Sequence, residues 1–171
     1  MLTSKILPMH YLTLEDFQIM CGVLTDFFKK VKDPAPDYRH SYFEKLESII
    51  AIPRKTFDSK DLYPGVYAKA ACYLYFINKF HPFENGNKRI SIVSTAVFLR
   101  YNNLELDVDE DHLYSFAKEV TSTDEHQDAQ FGRVVSFVKS HTKPANVRRY
   151  PDLLSWLKHI FKHVRQDSHN V

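Results

Sequence analysis

The chain has 171 residues, with 23 Lys and Arg, 21 Asp and Glu, and a formal net charge of +2 at pH 7. This length suits one domain with a buried core, and the balanced charge gives no field strong enough to imply nucleic acid or an anionic membrane as the main partner. The sequence has no apolar run of about 18 residues, and its N-terminus lacks a charged segment followed by a long apolar one. The sequence therefore predicts a cytoplasmic protein without a membrane partner.

The spacing of apolar residues predicts a mainly α-helical fold. The chain contains only 4 glycines, and most of its apolar runs follow helical rather than alternating spacing. No period of about 20 to 50 residues repeats, which excludes a solenoid. Cys21 and Cys72 both lie in apolar stretches, where a free cysteine behaves as a small buried hydrophobe.

Two helices are predicted in the first third of the chain. The first begins at Thr13, a good N-cap, and ends after Lys29 and Lys30. Its core face would carry Phe17, Met20, Cys21, Leu24 and Phe28. The second begins with a capping box from Ser41 to Glu44 and stops by Pro53, whose ring cannot continue a helix. Its predicted buried residues are Leu46, Ile49 and Ile50.

A charged loop separates these helices from the predicted centre of the fold. Residues 53–63, named the flap below, mix charged side chains with Phe57 and Leu62 and predict an exposed, hairpin-like segment. Residues 65–80 are apolar on nearly every side, which predicts a helix at the centre of a bundle. After a short loop, Asn87 is a good N-cap for a second buried helix that continues to Asn102 and Asn103.

The last third of the chain predicts supporting elements and an appendage. Leu104, Leu106 and Val108 alternate with polar residues, and helical spacing resumes over residues 109–122 and 128–141. The final amphipathic helix and tail, residues 151–171, include an apolar stripe with a predicted packing role. That stripe consists of Leu153, Leu157, Ile160, Phe161 and Val164. Residues 143–150 are polar, rich in helix breakers, and predicted to be a linker.

The segment between the two central helices, HPFENGNKR, contains the side chains best suited to catalysis and to anion binding. His81 can accept a proton near neutral pH. Gly86 lets a ligand approach the backbone, and Asn87 and Arg89 can donate to phosphate oxygens at a helix N-terminus. A base beside an anion site predicts phosphoryl-type transfer. We expect Pro82 and Phe83 to have a structural role, with Phe83 anchoring the loop in the core.

This segment resembles the Fic motif, HPFx(D/E)GNGRxxR, and more closely that of the Doc subgroup, in which Lys replaces a glycine at the position of Lys88. The positions that match are His81, Pro82, Phe83, Gly86, Asn87 and Arg89. The resemblance implies an all-α, Fic/Doc-like helical bundle around a central buried helix pair, with a hairpin-like flap. The catalytic domain would span residues 1–142.

The resemblance also implies roles for individual residues. His81 would be the general base acting on a Ser, Thr or Tyr hydroxyl of a target protein, with ATP or another nucleotide as donor. Asn87 and the loop amides would form an anion hole, Arg89 would clamp phosphate, and Lys88 would help to orient the nucleotide. The flap would dock the main chain of the target through four residues. These are Lys55, Thr56, Phe57 and Asp58.

Three positions depart from the Fic pattern. Asn85 replaces the acidic metal ligand, and its amide oxygen is a weaker ligand for a hard cation, so we expect magnesium to bind mainly through the nucleotide. We expect Glu84, one position earlier, to be solvated. Ile92 replaces a second arginine. In the Doc subgroup, the lysine found here at position 88 accompanies transfer of the terminal phosphate rather than AMP.

Three functions stay open at this point. Lys88 favours a Doc-like phosphotransferase, a possible toxin of a toxin–antitoxin pair, whereas the Gly86–Asn87 pair suits an adenylyltransferase that attaches AMP. Asn85 and Ile92 also fit a Fic fold that has lost catalysis and binds partners. The self-inhibitory pattern (S/T)xxxE(G/N) of some Fic proteins has no match, so inhibition would require another chain, such as an antitoxin.

Overall fold

Helices dominate the part of the chain that the computed structural model describes, which comprises residues 8–28, 36–146 and 155–157. The α-helices are α1 (Leu14–Phe28), α2 (Phe43–Ala51), α3 (Gly65–Phe80), α4 (Asn87–Tyr101), α5 (Glu110–Ser122) and α6 (Gln127–Ser140). The strands are β1 (Thr56–Phe57), β2 (Lys60–Asp61), β3 (Leu104–Leu106) and β4 (Thr142–Pro144). Short 3-10 helices span Tyr38–His40 and Ile52–Arg54. The predicted all-α class is confirmed.

Helices α3 and α4 form the predicted central pair. Every residue of α3 from 68 to 78 is buried, and so is almost all of α4 from 90 to 100. Burial on all sides explains why the α3 segment is apolar on nearly every side in the sequence. The other helices pack around this pair, and one continuous apolar core joins them.

Helix α1 has the predicted N-terminus and the predicted core face. The Thr13 hydroxyl accepts from the Asp16 backbone N–H at 3.3 Å, and the Thr13 backbone N–H donates to the Asp16 carboxylate at 2.8 Å. These reciprocal bonds satisfy N–H groups that the first turn leaves without helical partners. The buried side chains are the five predicted ones. The predicted C-terminal residues, Lys29 and Lys30, lie outside the described residues.

The predicted capping box of α2 is wrong, although its predicted buried residues are correct. Its N-cap is Tyr42, which makes no side-chain capping bond. The Ser41 hydroxyl instead donates to the Tyr38 carbonyl at 2.8 Å, and the Ser41 backbone forms an antiparallel bridge with Phe83. Ser41 therefore belongs to the preceding 3-10 turn and to a tertiary contact, which local sequence spacing does not reveal.

The flap contains the predicted hairpin. Strand β1 pairs antiparallel with β2, with Thr56 opposite Asp61 and Phe57 opposite Lys60. The two turn residues, Asp58 and Ser59, have φ values of 48° and 61°. Positive φ at both central positions is the geometry that matches the twist of a two-residue hairpin. All of the residues from 54 to 62 are exposed.

A second strand pair joins the two ends of the α5–α6 segment. Asn103 has a φ of 61°, the left-handed conformation predicted for the end of α4. Strand β3 follows and pairs antiparallel with β4, with Leu104 opposite Pro144. Lys143 and Pro144 fall in the predicted linker, so this strand continues the folded domain two residues beyond residue 142.

The described part of the C-terminal segment is short but well packed. Residues 155–157 are helical, and Trp156 and Leu157 are buried in the main core. The Arg100 guanidinium lies 5.7 Å from the centre of the Trp156 ring, which joins this segment to α4. The rest of the predicted amphipathic helix lies outside the described residues. No described helix is both long and apolar enough to cross a bilayer.

Candidate active site

The loop from His81 to Gly86, named the motif loop below, joins the C-terminus of α3 to the N-terminus of α4. His81 is the C-cap of α3, with φ 46° and ψ 67°, and its backbone N–H donates to the Ile77 carbonyl at 3.1 Å. This left-handed conformation is uncommon for a residue with a side chain. His81 is exposed, so its imidazole is accessible to a ligand.

Two residues of the motif loop attach it to the protein. Phe83 is 1% exposed and lies in the main core. The Pro82 carbonyl accepts from the Tyr42 backbone N–H at 2.7 Å, next to the bridge between Ser41 and Phe83. The loop is therefore held both by apolar burial and by main-chain bonds to the segment before α2.

Asn87 closes the motif loop with two hydrogen bonds. Its side-chain oxygen accepts from the Phe83 backbone N–H at 3.0 Å, and its side-chain nitrogen donates to the Phe83 carbonyl at 2.7 Å. The predicted N-cap role is wrong, because the N-cap of α4 is Gly86 and Asn87 is the first helical residue. Gly86 has a φ of 72°, which glycine adopts at little cost. The amide of Asn87 keeps a second hydrogen for a ligand.

The start of α4 brings backbone N–H donors and positively charged side chains together. Its first helical bond runs from the Ile90 N–H to the Gly86 carbonyl at 3.0 Å, so the N–H groups before Ile90 have no helical acceptor. Lys88 follows in the first turn. The Arg89 guanidinium lies 4.3 Å from the centre of the Phe28 ring, a contact that helps to orient it. Backbone donors and two cations thus meet at one helix end, an arrangement that attracts phosphate.

A buried polar network fixes this helix end relative to α3 and α5. The Asn78 side chain donates to the Ser91 hydroxyl at 2.7 Å, and that hydroxyl donates to the Lys88 carbonyl at 2.7 Å. The Thr121 hydroxyl of α5 lies 3.4 Å from the Asn78 side-chain oxygen. Because Asn78 and Ser91 are both buried, these bonds restrain the start of α4.

A cavity of about 300 Å³ brings the predicted residues together. It is lined by His81, Glu84, Asn85, Gly86, Asn87, Lys88, Arg89 and Tyr114. Glu84 is exposed, as predicted, but it also lies at the cavity wall. Sequence reasoning missed Tyr114, because only the packing of α5 brings a residue so distant in the chain to the motif loop.

The flap residues do not line this cavity. Lys55, Thr56, Phe57 and Asp58 lie on the exposed hairpin. The hairpin is attached to α3 by the buried Lys69, whose ammonium donates to the Pro53 carbonyl at 2.8 Å and lies 3.0 Å from the Asp61 carboxylate. This ion pair and hydrogen bond set the position of the flap relative to the helix that ends at His81.

The cavity contains few groups that could hold a metal by themselves. Among the described residues, no cluster of three or more His, Cys, Asp or Glu side chains is present. The cavity wall carries one carboxylate, Glu84, and two side-chain amides, those of Asn85 and Asn87, beside its cations. The Asn87 oxygen already accepts from the Phe83 backbone N–H, which leaves the Asn85 oxygen for a metal. This donor set fits magnesium that arrives on nucleotide phosphates, since Mg²⁺ commonly takes one or two carboxylates and completes its shell with phosphate and water.

Comparison of the sequence with known proteins identifies a family for this chain. The profile described as Fic/DOC family matches residues 9–99, which contain α1 to α3, the motif loop and most of α4. Toxin Doc of Mycolicibacterium smegmatis is 32% identical over 81 residues, which are 46% of this chain and 62% of that protein. The chain thus spans less than two thirds of that relative, and no solved structure matches. The family match covers more than half of the chain, which therefore belongs to the Fic/DOC family.

Proposed function

We propose that this protein transfers a phosphate-containing group from a nucleotide to a hydroxyl side chain of a target protein. The observation that carries the proposal is the shared cavity, in which His81 lies with the N-terminus of α4 and its two cations. A general base within reach of a phosphate site is the minimum that such a transfer needs. Family membership supports the same reaction class.

Within this class, we favour transfer of the terminal phosphate of ATP. Lys88 lines the cavity, where the Fic pattern has glycine, and adds a long cation beside Arg89. Ile92 packs partly buried against the core, at the position of the second arginine of the Fic pattern. The positive charge therefore lies close to the motif loop and His81, which suits binding of the γ-phosphate next to the base.

In the proposed reaction, His81 removes the proton of the target hydroxyl as the hydroxyl oxygen forms a bond to the γ-phosphorus. The bond between that phosphorus and the bridging oxygen breaks, and ADP leaves with its electron pair. The backbone N–H groups of α4, Lys88 and Arg89 hold the phosphate oxygens in line. Glu84 and Asn85 would hold a nucleotide-bound magnesium, which would neutralise part of the phosphate charge.

The flap suits the target side of the reaction. Its hairpin has two strands, so each strand has an outer edge that could pair with an extended peptide. Phe57 is 75% exposed and offers an apolar contact next to that edge. We propose that Lys55, Thr56, Phe57 and Asp58 dock the main chain around the target hydroxyl.

The similarity to a protein named Toxin Doc supports a toxin role with an antitoxin partner. Expression of the wild-type chain should then arrest growth, and a co-expressed antitoxin should relieve the arrest. His81→Ala should abolish the arrest. His126→Ala is the matched control, because His126 is highly exposed and does not line the cavity. Growth arrest by His81→Ala equal to that of the wild type would remove His81 from the mechanism.

ATP labelled separately at the α- and γ-phosphates tests the transferred group. Purified protein is incubated with cell extract and either label, and His81→Ala protein supplies the background from other enzymes in the extract. We expect γ-label, and not α-label, to reach protein above that background, with His81→Ala reducing transfer by at least about 100-fold. Transfer of α-label would establish adenylylation instead. Transfer of neither label would favour a catalytically inactive binding module.

A further inference from the structure

Among the described residues, Tyr114 is the one cavity-lining residue that comes from outside the motif loop and the first turn of α4. It lies on α5 and is the only aromatic residue in the cavity wall formed by the described residues. Every other lining residue has a polar or charged side chain, or is glycine. The cavity thus has a phosphate-binding part and a single flat, largely apolar surface beside it.

The position of Tyr114 is fixed by the packing of its helix. Its neighbour Leu113 is buried, and so are Ala117 and Val120 further along α5. About two turns after Tyr114, Thr121 contacts the Asn78 side chain beneath the anion site. The phenol ring is therefore held at the cavity by a helix that packs on both α3 and α4.

The ring of Tyr114 also remains available to a ligand. It is 37% exposed, and within the described part of the chain it pairs with no other aromatic ring. Phe116, on the same helix, differs in this respect because it stacks on Phe137 with ring centres 3.8 Å apart. Phe116 therefore packs against α6, whereas Tyr114 faces the cavity.

We infer that Tyr114 stacks on the nucleoside part of the donor whose phosphates bind at the start of α4. A cavity of about 300 Å³ is at the lower end of the range for ligand sites, so part of a nucleotide must lie against its rim. Aromatic side chains bind nucleobases through their ring faces and tolerate any base. The inference rests on the proposed nucleotide site, and it assigns Tyr114 to affinity for the nucleoside rather than for phosphate.

Calorimetric titration with two probes, ATP and inorganic tripolyphosphate, tests this role. Tyr114→Ala should weaken ATP binding about tenfold, the magnitude of one lost stacking contact, and leave tripolyphosphate binding unchanged. Tyr114→Phe should bind both probes within about twofold of wild type, because the ring face is retained. Ser115→Ala is the control, since Ser115 is the exposed neighbour on α5 and does not line the cavity.

Each other outcome would overturn the inference. If Tyr114→Ala weakened the binding of both probes equally, the residue would contact phosphate or support the site. If it left ATP binding unchanged, Tyr114 would make no contact with the nucleotide. Weaker binding of both probes by Tyr114→Phe would assign the effect to the hydroxyl. Failure of the wild type to bind either probe would remove the phosphate site and both proposals. ATP binding without label transfer would overturn the transferase and leave the role of Tyr114 standing.

Discussion

Asn87 closes the motif loop through hydrogen bonds from its own side chain. Both polar atoms of its amide bond to the backbone of Phe83, four residues earlier, while Asn85 makes no comparable contact among the described residues. The two asparagines look equivalent in the sequence, yet only one determines the shape of the motif loop. A side chain that fixes loop geometry affects ligand binding even where it donates no bond to the ligand.

We predict that Asn87→Ala lowers the free energy of unfolding by roughly 1–3 kcal/mol, because two partly buried hydrogen bonds are lost. Asn85→Ala, the matched control at an exposed position, should change it by less than about 0.5 kcal/mol. Urea unfolding at neutral pH measures both values. Equal effects of the two substitutions would show that the Asn87 bonds to Phe83 do not stabilise the loop.

The grouping of the motif residues could be predicted because all of them lie in one short segment of the sequence. His81, Gly86, Lys88 and Arg89 are within nine residues of one another, so a single loop and helix end must bring them together. Tyr114 has no such local signal. Its place at the cavity depends on the packing of α5, and the sequence around it reads as an ordinary amphipathic helix.

At the scale of the elements, the helices followed from apolar spacing, but two features that depend on distant pairing did not. Ser41 carries a good capping sequence, yet its hydroxyl and backbone are used by the 3-10 turn and by Phe83. Strand β4 contains Lys143 and Pro144 and has no alternating pattern, so its pairing with β3 is visible only in three dimensions. Local patterns predict local bonds, and tertiary contacts override them.

The flap depends on the buried Lys69. We predict that Asp61→Ala loosens the hairpin, because it removes the carboxylate that pairs with the Lys69 ammonium, and that flap amides such as that of Leu62 then exchange roughly fivefold faster. Hydrogen exchange measured by mass spectrometry or NMR provides the readout. Lys60→Ala, on the same strand, is the control and should leave exchange unchanged. Identical exchange rates in the two variants would show that the pair between Asp61 and Lys69 does not hold the flap in place.

At the scale of the whole molecule, both cysteines are free thiols buried in the core, as the sequence predicted. Burial raises the pKa of Cys21 to about 12, and burial also raises the pKa of Cys72. A thiol whose folded pKa exceeds its unfolded value of about 8.5 stabilises the protein fully below that value. This contribution is lost as the pH rises from about 8.5 toward the folded pKa.

We therefore predict a lower free energy of unfolding at pH 9.5 than at pH 7, by roughly 1–1.5 kcal/mol for each thiol. Urea titrations at the two pH values measure the difference. The double variant Cys21→Ala, Cys72→Ala should be less stable at pH 7 because of the cavities it leaves, but its stability should fall less between the two pH values. An equal fall in both proteins would assign the pH dependence to other groups.

The left-handed backbone at His81 places the demands of stability and of the proposed catalysis in opposition at one position. A residue with a Cβ atom at φ 46° costs about 1–2 kcal/mol relative to glycine, so His81→Gly should unfold at a higher urea concentration than His81→Ala while both lack activity. Glycine at this position would relieve the backbone strain and raise the free energy of unfolding. The proposed transfer, by contrast, requires the imidazole of His81.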